Sequence, residues 1–294
     1  MNKKTIAIVG LGLIGGSMAL ALRRSSRYIL YGLDSDPVTL MNALKRSAVD
    51  KAGGAELLAH ADLVILALPP EAALAFLRDN AAAIKPGAVV TDVCGVKQAI
   101  VEPAAALCEA AGLTFIGGHP MAGKEKGGFD NADAALFEGA CYILTPTPST
   151  PAAVVDGMKE LAAQLGCARM TVTTPAHHDR MIAFTSQLPH VLAGAYVKSP
   201  CCLYHAGFSA GSYRDVSRVA AVDETLWAQL FLLNQTALCA EIDGLMERLQ
   251  ACRDAVAAGD RQALTALLRE GRERKEEADG ALPPLPEHRK ERTP

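Results

Sequence analysis

A histidine in a glycine-rich segment is the residue of this sequence best suited to proton transfer. His119 lies in GGHPMAG, residues 117–123, directly after a predicted strand over Thr114–Ile116. Imidazole titrates near neutral pH, so a histidine can take a proton from a substrate under physiological conditions. Ligands of open α/β sheets bind beyond the carboxyl ends of the strands. The sequence therefore predicts His119 as a general base in a loop at that edge of a sheet.

A second chemical signature is the motif GLGLIG at residues 10–15. It follows a predicted strand and opens a predicted helix, which is the context of a dinucleotide-binding turn. Gly10 would permit a tight turn, Gly12 would leave room for a pyrophosphate, and Gly15 would let the helix pack on the strand. N–H groups at the helix N-terminus would face the diphosphate. The residues expected to contact the cofactor here are Gly10, Gly12, Leu13, Ile14 and Gly15.

The choice of cofactor depends on an acidic residue at the end of the second predicted strand. Asp34 lies about 20 positions beyond the glycine motif, as the dinucleotide fingerprint requires. A carboxylate there can accept hydrogen bonds from the ribose 2′-hydroxyl and repels a 2′-phosphate. The sequence therefore predicts NAD rather than NADP. Asp36 is interpreted as a turn residue, and a share in ribose binding is the alternative.

Short apolar strands alternate with helical stretches through the first 173 residues. The predicted strands are Thr5–Val9, Tyr28–Leu33, Leu63–Leu68, Ala88–Thr91, Thr114–Ile116, Ala140–Leu144 and Met170–Val172. The predicted helical stretches are Leu11–Arg24, Pro37–Ser47, Glu71–Ile84, Val96–Ala111 and Ala152–Leu165. Repeated β-α-β units imply an α/β fold with a Rossmann-type, mostly parallel sheet. Residues 1–173 are thus predicted to form a dinucleotide-binding domain.

The remainder of the chain is predicted to be an all-helical domain over residues 174–279. Helical spacing covers Asp179–Val197, Glu224–Leu249 and Ala255–Glu277, with almost no strand signal. This part is rich in Ala and Leu, so it is expected to bind substrate and to form a homodimer interface. A monomeric helical core is the alternative. Residues 280–294 carry three prolines among charged residues and are predicted to be a disordered tail.

Composition excludes several classes of protein. The chain has 29 Lys and Arg against 32 Asp and Glu, a net charge of −3, which argues against a nucleic-acid-binding protein. No apolar run is long enough for a membrane span, and no secretory signal opens the chain. None of the eight cysteines form a CxxC pair, which argues against a metal site. Scattered cysteines without an export signal predict a reduced, cytoplasmic protein.

The segment around His119 also resembles a known family. HPMAGKEKGG at residues 119–128 is close to the H-P-M-A-G-x-E-K-S-G segment of prephenate dehydrogenases. The resemblance continues in TDVCGVK (91–97), SQLPH (186–190), YRDVSR (213–218) and Trp227. These motifs occur in the family's order and span nearly the whole chain. The sequence is therefore similar to the prephenate and arogenate dehydrogenase family.

This resemblance implies an NAD-dependent oxidative decarboxylation of prephenate to 4-hydroxyphenylpyruvate and CO2, in tyrosine biosynthesis. His119 would take the proton of the ring hydroxyl, and Arg218 would bind a carboxylate. Arg214 is one helical turn away and would face the same pocket, with a surface ion pair as the alternative. The other residues expected at the substrate site are His190, Glu125 and Ser186. Tyrosine is a candidate inhibitor at the same site.

Two departures from the family pattern bear on the chemistry. Gly95 stands where the family commonly has a serine whose hydroxyl orients the catalytic histidine. A water, Ser186 or Cys94 could take that role, and our hypothesis is that the chemistry survives. Gln187 stands where relatives often carry a histidine.

Other interpretations differ in substrate or in class. Arogenate dehydrogenase keeps the same fold and histidine, but its substrate has a charged amine that wants an acceptor. Cationic neighbours (Arg214, Arg218 and His190) favour prephenate. A non-catalytic NAD-binding sensor is the alternative outside enzymes. Trp227 is predicted to pack the helical core. The run HHD at residues 177–179 is interpreted as a helix start rather than a metal site or dyad, because adjacent residues do not share a helix face.

Overall fold

A computed structural model of the chain describes residues 3–124 and 126–281. Its strands are β1 (Lys4–Val9), β2 (Tyr28–Leu33), β3 (Lys51–Gly53), β4 (Leu63–Leu66), β5 (Val89–Asp92), β6 (Thr114–Pro120), β7 (Cys141–Thr145) and β8 (Arg169–Val172). The helices that connect them are α1 (Leu13–Ser25), α2 (Pro37–Lys45), α3 (Pro70–Asn80), α4 (Gln98–Ala110) and α5 (Ala152–Gln164).

The eight strands form one sheet in the order β3-β2-β1-β4-β5-β6-β7-β8. All neighbouring strands are parallel except β6 and β7, which pair antiparallel. Strands β1, β4, β5 and β6 therefore end at the same edge of the sheet. This arrangement confirms the predicted α/β class with a Rossmann-type, mostly parallel sheet followed by helices.

The core lies on both faces of the sheet, as expected when helices cover a parallel sheet on two sides. Successive residues of β1 point to opposite faces. Ile6 and Ile8 belong to a buried cluster that includes residues of α1 and α5. Ala7 and Val9 belong to a second cluster that includes residues of α3 and α4. The glycine-rich loop after β1 is thus anchored by a strand that is buried from Thr5 to Val9.

The second part of the chain contains helices without strands. They are α6 (Pro175–Ile182), α7 (Leu188–Tyr196), α8 (Gly211–Ser217), α9 (Glu224–Leu233), α10 (Gln235–Ala257) and α11 (Arg261–Ala281). A π-helical turn over Ala183–Gln187 joins α6 to α7. Pro189 supplies no N–H for a regular helical hydrogen bond at this point, which favours the wider turn.

Two predicted helix boundaries in this part are wrong. The single helix predicted over Glu224–Leu249 is interrupted at Asn234, whose side-chain amide donates to the carbonyl oxygen of Asp179 (2.8 Å) and to Oε1 of Gln187 (2.7 Å). The last helix does not begin at Ala255, because α10 continues to Ala257 before a turn with positive φ at Gly259. The contacts of Asn234 with distant residues explain the first boundary, and the turn at Gly259 explains the second.

The chain divides into two compact units between Asn234 and Gln235. The first unit contains the sheet and helices α1 to α9, and the second contains α10 and α11. In the described ranges, no helix combines the length and the apolar character needed to cross a membrane. Helix α11 extends to Ala281, and the rest of the predicted tail lies outside the described residues.

Candidate active site

Two of the three motif glycines in the turn after β1, Gly10 and Gly15, leave no space for a side chain. Gly10 has φ of +87°, and its N–H donates to the carbonyl oxygen of Leu33 (2.8 Å). A Cβ at Gly10 would lie 2.4 Å from the carbonyl oxygen of Ala67, and one at Gly15 would lie 1.9 Å from that of Gly10. A Cβ at Gly12, in contrast, would meet no atom within 4 Å. The loop therefore packs tightly behind Gly12 and is open in front of it.

Asp34 follows β2 and contacts this loop directly. Its Oδ2 accepts from the backbone N–H of Leu11 (2.7 Å) and its Oδ1 from that of Asp36 (2.9 Å). The half-buried carboxylate therefore lies beside the loop, where a cofactor ribose would be held. Asp36 instead caps α2, accepting from the N–H groups of Val38 and Thr39. Its hydrogen bonds, first that of the Thr39 hydroxyl, lower its pKa below the ordinary value.

These residues fit an NAD molecule. The open space at Gly12 and the free N-terminus of α1 suit a pyrophosphate. Leu13 and Ile14, the first residues of α1, are half-buried. Asp34 keeps acceptor capacity beyond its two backbone hydrogen bonds, because two carboxylate oxygens offer about four lone-pair sites.

His119 lies inside β6, so the predicted loop at this position is wrong. Strand β6 continues to Pro120 because residues Gly117–Pro120 pair antiparallel with β7. The pairing with β5 ends at Ile116, and His119 therefore lies beyond the carboxyl end of β5. The glycine loop also follows the carboxyl end of its strand. The structure thus brings both chemical signatures to the same edge of the sheet.

The ring of His119 is hydrogen-bonded to a second histidine. Nδ1 of His119 lies 2.9 Å from Nε2 of His178, and Nδ1 of His178 lies 2.7 Å from Oδ1 of Asp179. The sequence was right that residues 177–179 begin a helix, since Thr174 caps α6 by accepting from the N–H of His177. The prediction that His178 takes no part in a catalytic dyad is wrong, because its ring is hydrogen-bonded to His119. The spacing within α6 gave no signal because the partner, His119, comes from a distant strand.

A buried network holds this pair of histidines against the segment after β5. Oδ1 of Asp179 accepts from the N–H of Lys97 (2.7 Å), and Oδ2 accepts from that of Gln98 (2.9 Å), at the start of α4. The fully buried ammonium of Lys97 contacts the carboxylate of Asp92. Asp92 also accepts from the N–H groups of Cys94 (2.9 Å) and Gly118 (3.1 Å). The motif at residues 91–97 therefore fixes the strand that carries His119.

Burial keeps both histidines neutral near pH 7. Desolvation lowers the pKa of His119 well below its ordinary value of 6.5, and the charge of a protonated His178 and that of Lys97 would act in the same direction. Desolvation also lowers the pKa of His178, although the hydrogen bond that its Nδ1 donates to Asp179 opposes this shift. His119 as a whole residue is half-buried. A neutral imidazole can accept a proton from a ligand.

A second cluster surrounds His190 on α7. Its ring stacks on the indole of Trp227, with centroids 3.7 Å apart and planes 26° apart. Its Nδ1 donates to the carbonyl oxygen of Ser186 (2.8 Å) in the π-helical turn. Burial lowers the pKa of His190, its hydrogen bond to Ser186 opposes this shift, and the charge of Arg218 lowers the pKa further. Trp227, predicted to pack the helical core, thus covers a face of a predicted substrate residue.

Helix α9 connects this cluster with the segment after β5. A Cβ at Gly95 would lie 3.7 Å from the δ carbons of Leu230. Trp227 and Leu230 are three residues apart and share one face of α9. The side-chain amide of Gln187 donates to the carbonyl oxygen of Leu230 (3.1 Å) and so fixes the helix. His190 and the Gly95 segment therefore lie about one helical turn apart along α9.

The remaining sequence candidates are less tightly placed. Arg214 and Arg218 are both exposed, but α8 ends at Ser217, so no continuous α-helix spans them. Within the described part of the chain, the hydrogen bonds and ring contacts around His190 do not include Arg214. Sγ of Cys94 faces the carbonyl oxygen of Leu68 (3.4 Å), and burial raises the pKa of this thiol. Glu125 lies outside the described residues.

A glycine turn paired with an acidic residue, and a neutral histidine at the same sheet edge, define a nicotinamide-dependent dehydrogenase. The nucleotide-binding domain model of prephenate dehydrogenase matches residues 18–171, and the dimerization domain model of that enzyme matches residues 174–270. The chain belongs to the prephenate dehydrogenase family.

Individual relatives agree with this assignment. A prephenate dehydrogenase of Lactococcus lactis is 31% identical, over 95% of this chain and 80% of its own length. The crystal structure of Synechocystis arogenate dehydrogenase is 32% identical with a TM-score of 0.79, covering 93% of this chain and 99% of that one. An A. aeolicus prephenate dehydrogenase with hydroxyphenyl propionate and NAD+ is 27% identical with a TM-score of 0.81, covering 95% and 99%.

Proposed function

We propose that this chain catalyses the NAD-dependent oxidative decarboxylation of prephenate to 4-hydroxyphenylpyruvate and CO2, a step of tyrosine biosynthesis. The observation that carries the proposal is the neutral imidazole of His119 at the sheet edge that also holds the dinucleotide loop. Membership of the prephenate dehydrogenase family supports it. A metal is not needed, because a base and a hydride acceptor suffice for this reaction.

In the proposed mechanism, the protein orients the substrate and handles one proton. When bound, NAD supplies the acceptor for the hydride that leaves C4 of the ring. His119 takes the proton of the C4 hydroxyl as that hydride leaves, so a ring carbonyl forms. The C–C bond to the ring carboxylate then breaks, its electron pair aromatises the ring, and CO2 departs. The phenol oxygen regains a proton.

Binding is assigned to groups at the carboxyl edge of the sheet and on the following helices. Arg218 is proposed to bind a substrate carboxylate, because a guanidinium offers a planar pair of donors. The other proposed substrate residues are His190, Ser186, Arg214 and Glu125. The proposed cofactor residues are Gly10, Gly12, Leu13, Ile14, Gly15 and Asp34.

Arogenate is the second candidate substrate, and one observation favours it. His190 donates from Nδ1 to a carbonyl oxygen, so a neutral His190 presents Nε2 as an acceptor. From the sequence, His190 is expected to be one of the cationic neighbours that favour prephenate, but burial lowers its pKa. An acceptor suits the ammonium of arogenate better than the keto group of prephenate. The similarity to an arogenate dehydrogenase is consistent with activity on both substrates.

A homodimer is proposed for the assembly, through the helical part of the chain. The family model of the dimerization domain covers residues 174–270, which supports this assignment. The two family models meet between residues 171 and 174, which supports a division near residue 173. Inhibition by tyrosine at the active site and a cytoplasmic location stay predictions.

The role of His119 can be tested by replacing it with asparagine. His119→Asn should lower kcat for prephenate by ~10²–10⁴, because general base catalysis contributes about that factor. The affinity for NAD should not change, since no cofactor residue is altered. The measurement is NADH formation under saturating substrates, with NAD binding measured in parallel. A loss below about fivefold would show that another group takes the proton.

A further inference from the structure

His119, His178 and Asp179 form a continuous hydrogen-bonded chain between β6 and the first turn of α6. We propose that His178 and Asp179 are positioning residues, which hold the proton of His119 on Nδ1 and so leave Nε2 free to accept the substrate proton. This inference rests on the proposed function for the identity of the substrate. The tautomer itself can be measured without any substrate.

Asp179 determines which atoms donate and which accept in this series of hydrogen bonds. Its two oxygens accept the backbone N–H groups of Lys97 (2.7 Å) and Gln98 (2.9 Å). Both oxygens of Asp179 are thus acceptors of backbone N–H groups, which is the hydrogen-bonding role of a carboxylate. An ionised carboxylate can only accept, so the 2.7 Å contact with His178 requires a proton on Nδ1 of His178.

The next hydrogen bond follows from the protonation state of His178. This residue is buried, with 1% of its surface exposed, and burial lowers its pKa below the ordinary value of 6.5. A neutral imidazole with its proton on Nδ1 has a lone pair on Nε2. The 2.9 Å contact between the two rings therefore requires that Nδ1 of His119 donates. Nε2 of His119 is then the unprotonated nitrogen.

The charges around the hydrogen-bonded series His119–His178–Asp179 stabilise the imidazolium that forms when His119 takes a proton. Asp92 lies at the end of β5, Lys97 lies directly before α4, and Asp179 lies on α6; all three carry charge near the histidines. Lys97 and Asp92 contact each other, and both are fully buried, so their charges largely cancel. Asp179 has no such cation beside it in the described network. Its charge can therefore stabilise an imidazolium at His119 through the intervening ring of His178.

The adjacent histidine provides a matched control. His177 is exposed and begins the same helix, with its ring beside the guanidinium of Arg180 (3.0 Å). His178→Phe removes the acceptor for Nδ1 of His119, whereas His177→Phe makes the same change one residue away. His178→Gln replaces the ring with an amide whose oxygen can accept from His119 but whose link to Asp179 is lost.

The decisive measurement is the ¹⁵N spectrum of histidine-labelled protein at pH 7.5. The signals of His119 are assigned by their absence in His119→Asn. We expect the Nδ1–H tautomer of His119 in the wild-type protein and in His177→Phe, and a loss of that tautomer in His178→Phe. A wild-type His119 protonated on Nε2 would overturn the proposal, as would a tautomer that His178→Phe does not change.

Kinetics then test the consequence. His178→Phe should lower kcat by ~10²–10³ with NAD affinity unchanged, and His178→Gln should recover at least tenfold of that loss. The acid limb of kcat/KM should move to lower pH in both variants, because the imidazolium loses the influence of Asp179. The folding of both variants is checked by NAD binding. If His178→Phe does not fold, the proposal is tested by His178→Gln together with the ¹⁵N spectrum of the wild-type protein. Equal losses in both variants with an unmoved acid limb would mean a purely structural role.

The two proposals fail in different ways. If the wild-type protein turns over neither prephenate nor arogenate, the proposed function is wrong, yet the tautomer measurement still stands. If turnover is normal but His119 carries its proton on Nε2, the positioning role is wrong and the function stands.

Discussion

Single hydrogen bonds decide what each residue of this site can do. The carboxylate of Asp34 already accepts from Leu11 and Asp36 before any cofactor binds. It therefore holds the glycine loop in place, and we propose that it also accepts from a ribose hydroxyl of the cofactor. Asp36, two residues on, uses its carboxylate to cap α2 and is committed to that contact.

A pair of substitutions separates these two aspartates. Asp34→Ala should weaken NAD binding by about 10- to 100-fold, since a hydrogen bond to a charged group contributes about 1.5–3 kcal/mol. NADP binding should change much less, because the repelling charge is removed as well. Asp36→Ala should lower stability by about 0.5–2 kcal/mol through loss of the cap, with NAD affinity retained. Titration with each cofactor and urea unfolding measure these effects. Equal weakening of NAD and NADP by Asp34→Ala would contradict the ribose assignment.

Gly95, the position at which the family resemblance predicts a serine, has no steric requirement for glycine. A Cβ there would make ordinary contact with Leu230 at 3.7 Å, and the backbone is not in the positive φ region. Gly95→Ser should therefore fold normally and keep or raise kcat, because His119 is already held by His178. Steady-state kinetics with prephenate check this, with unfolding midpoints as control. Abolished activity in a folded Gly95→Ser variant would show that the site is adapted to glycine.

At the scale of elements, the loop between β1 and α1 shows why its glycines are not equivalent. Gly15→Ala would force a Cβ against the carbonyl oxygen of Gly10, whereas Gly12→Ala meets no atom. We expect Gly15→Ala to lose about 1–3 kcal/mol of stability, as overpacking does, and to lose NAD binding with it. Gly12→Ala should keep its stability and still weaken NAD binding at least tenfold, because the methyl group occupies the pyrophosphate path.

Thermal unfolding and NAD titration of the two variants distinguish these effects. Stability lost in Gly12→Ala, or NAD bound normally by it, would contradict the placement of the pyrophosphate.

The elements near the N-terminus were predictable because their signals are local. The strand pattern, the glycine motif and the acid after β2 all lie within 34 residues. The extension of β6 through His119 was not predictable, because its pairing partner, β7, begins at Cys141. The break at Asn234 also depends on contacts with distant residues. Likewise, His178 joined the site through a strand 59 positions away in sequence.

At the scale of the whole molecule, three histidines link stability to pH. The pKa values of His119, His178 and His190 are all lowered in the folded state, chiefly by burial. The unfolded chain therefore binds more protons than the folded protein below about pH 6.5. Stability is complete above that pH and declines as the pH falls through the interval between the unfolded and folded pKa values.

Urea unfolding at pH 7.5 and 5.5 measures this linkage. The free energy of unfolding should be lower at pH 5.5, with each histidine contributing at most about 1.4 kcal/mol per pH unit. Two carboxylates with shifted pKa values, Asp50 (paired with Arg23) and Asp62 (paired with Lys85), do not titrate between pH 5.5 and 7.5. Burial alone would raise the pKa of each carboxyl group, but hydrogen bonds lower the pKa by more. The pKa of each therefore lies below its ordinary value of 3.8. Removing His119 should flatten the dependence. Equal stability at the two pH values would contradict a buried, neutral histidine pair.

The fold class could be read from the sequence because binary patterning and the glycine motif agree along the whole sheet. The predicted alternation of strands and helices is reproduced from β1 to β8, with the addition of the three-residue strand β3. Strand β3 (Lys51–Gly53) is too short and too polar to show a period-two pattern. The substrate cluster around His190 and Trp227 needed coordinates, because a stacked pair 37 positions apart leaves no spacing signal.

The proposed reaction can be tested by mixing purified protein with NAD and prephenate and following the formation of NADH and CO2 together. We expect one NADH and one CO2 for each prephenate consumed, with much slower turnover when NADP replaces NAD. Turnover of arogenate in a parallel sample would extend the substrate range without altering the mechanism. Tight NAD binding with no NADH or CO2 from either substrate would contradict the account, and would identify the chain as an NAD-binding protein without this activity.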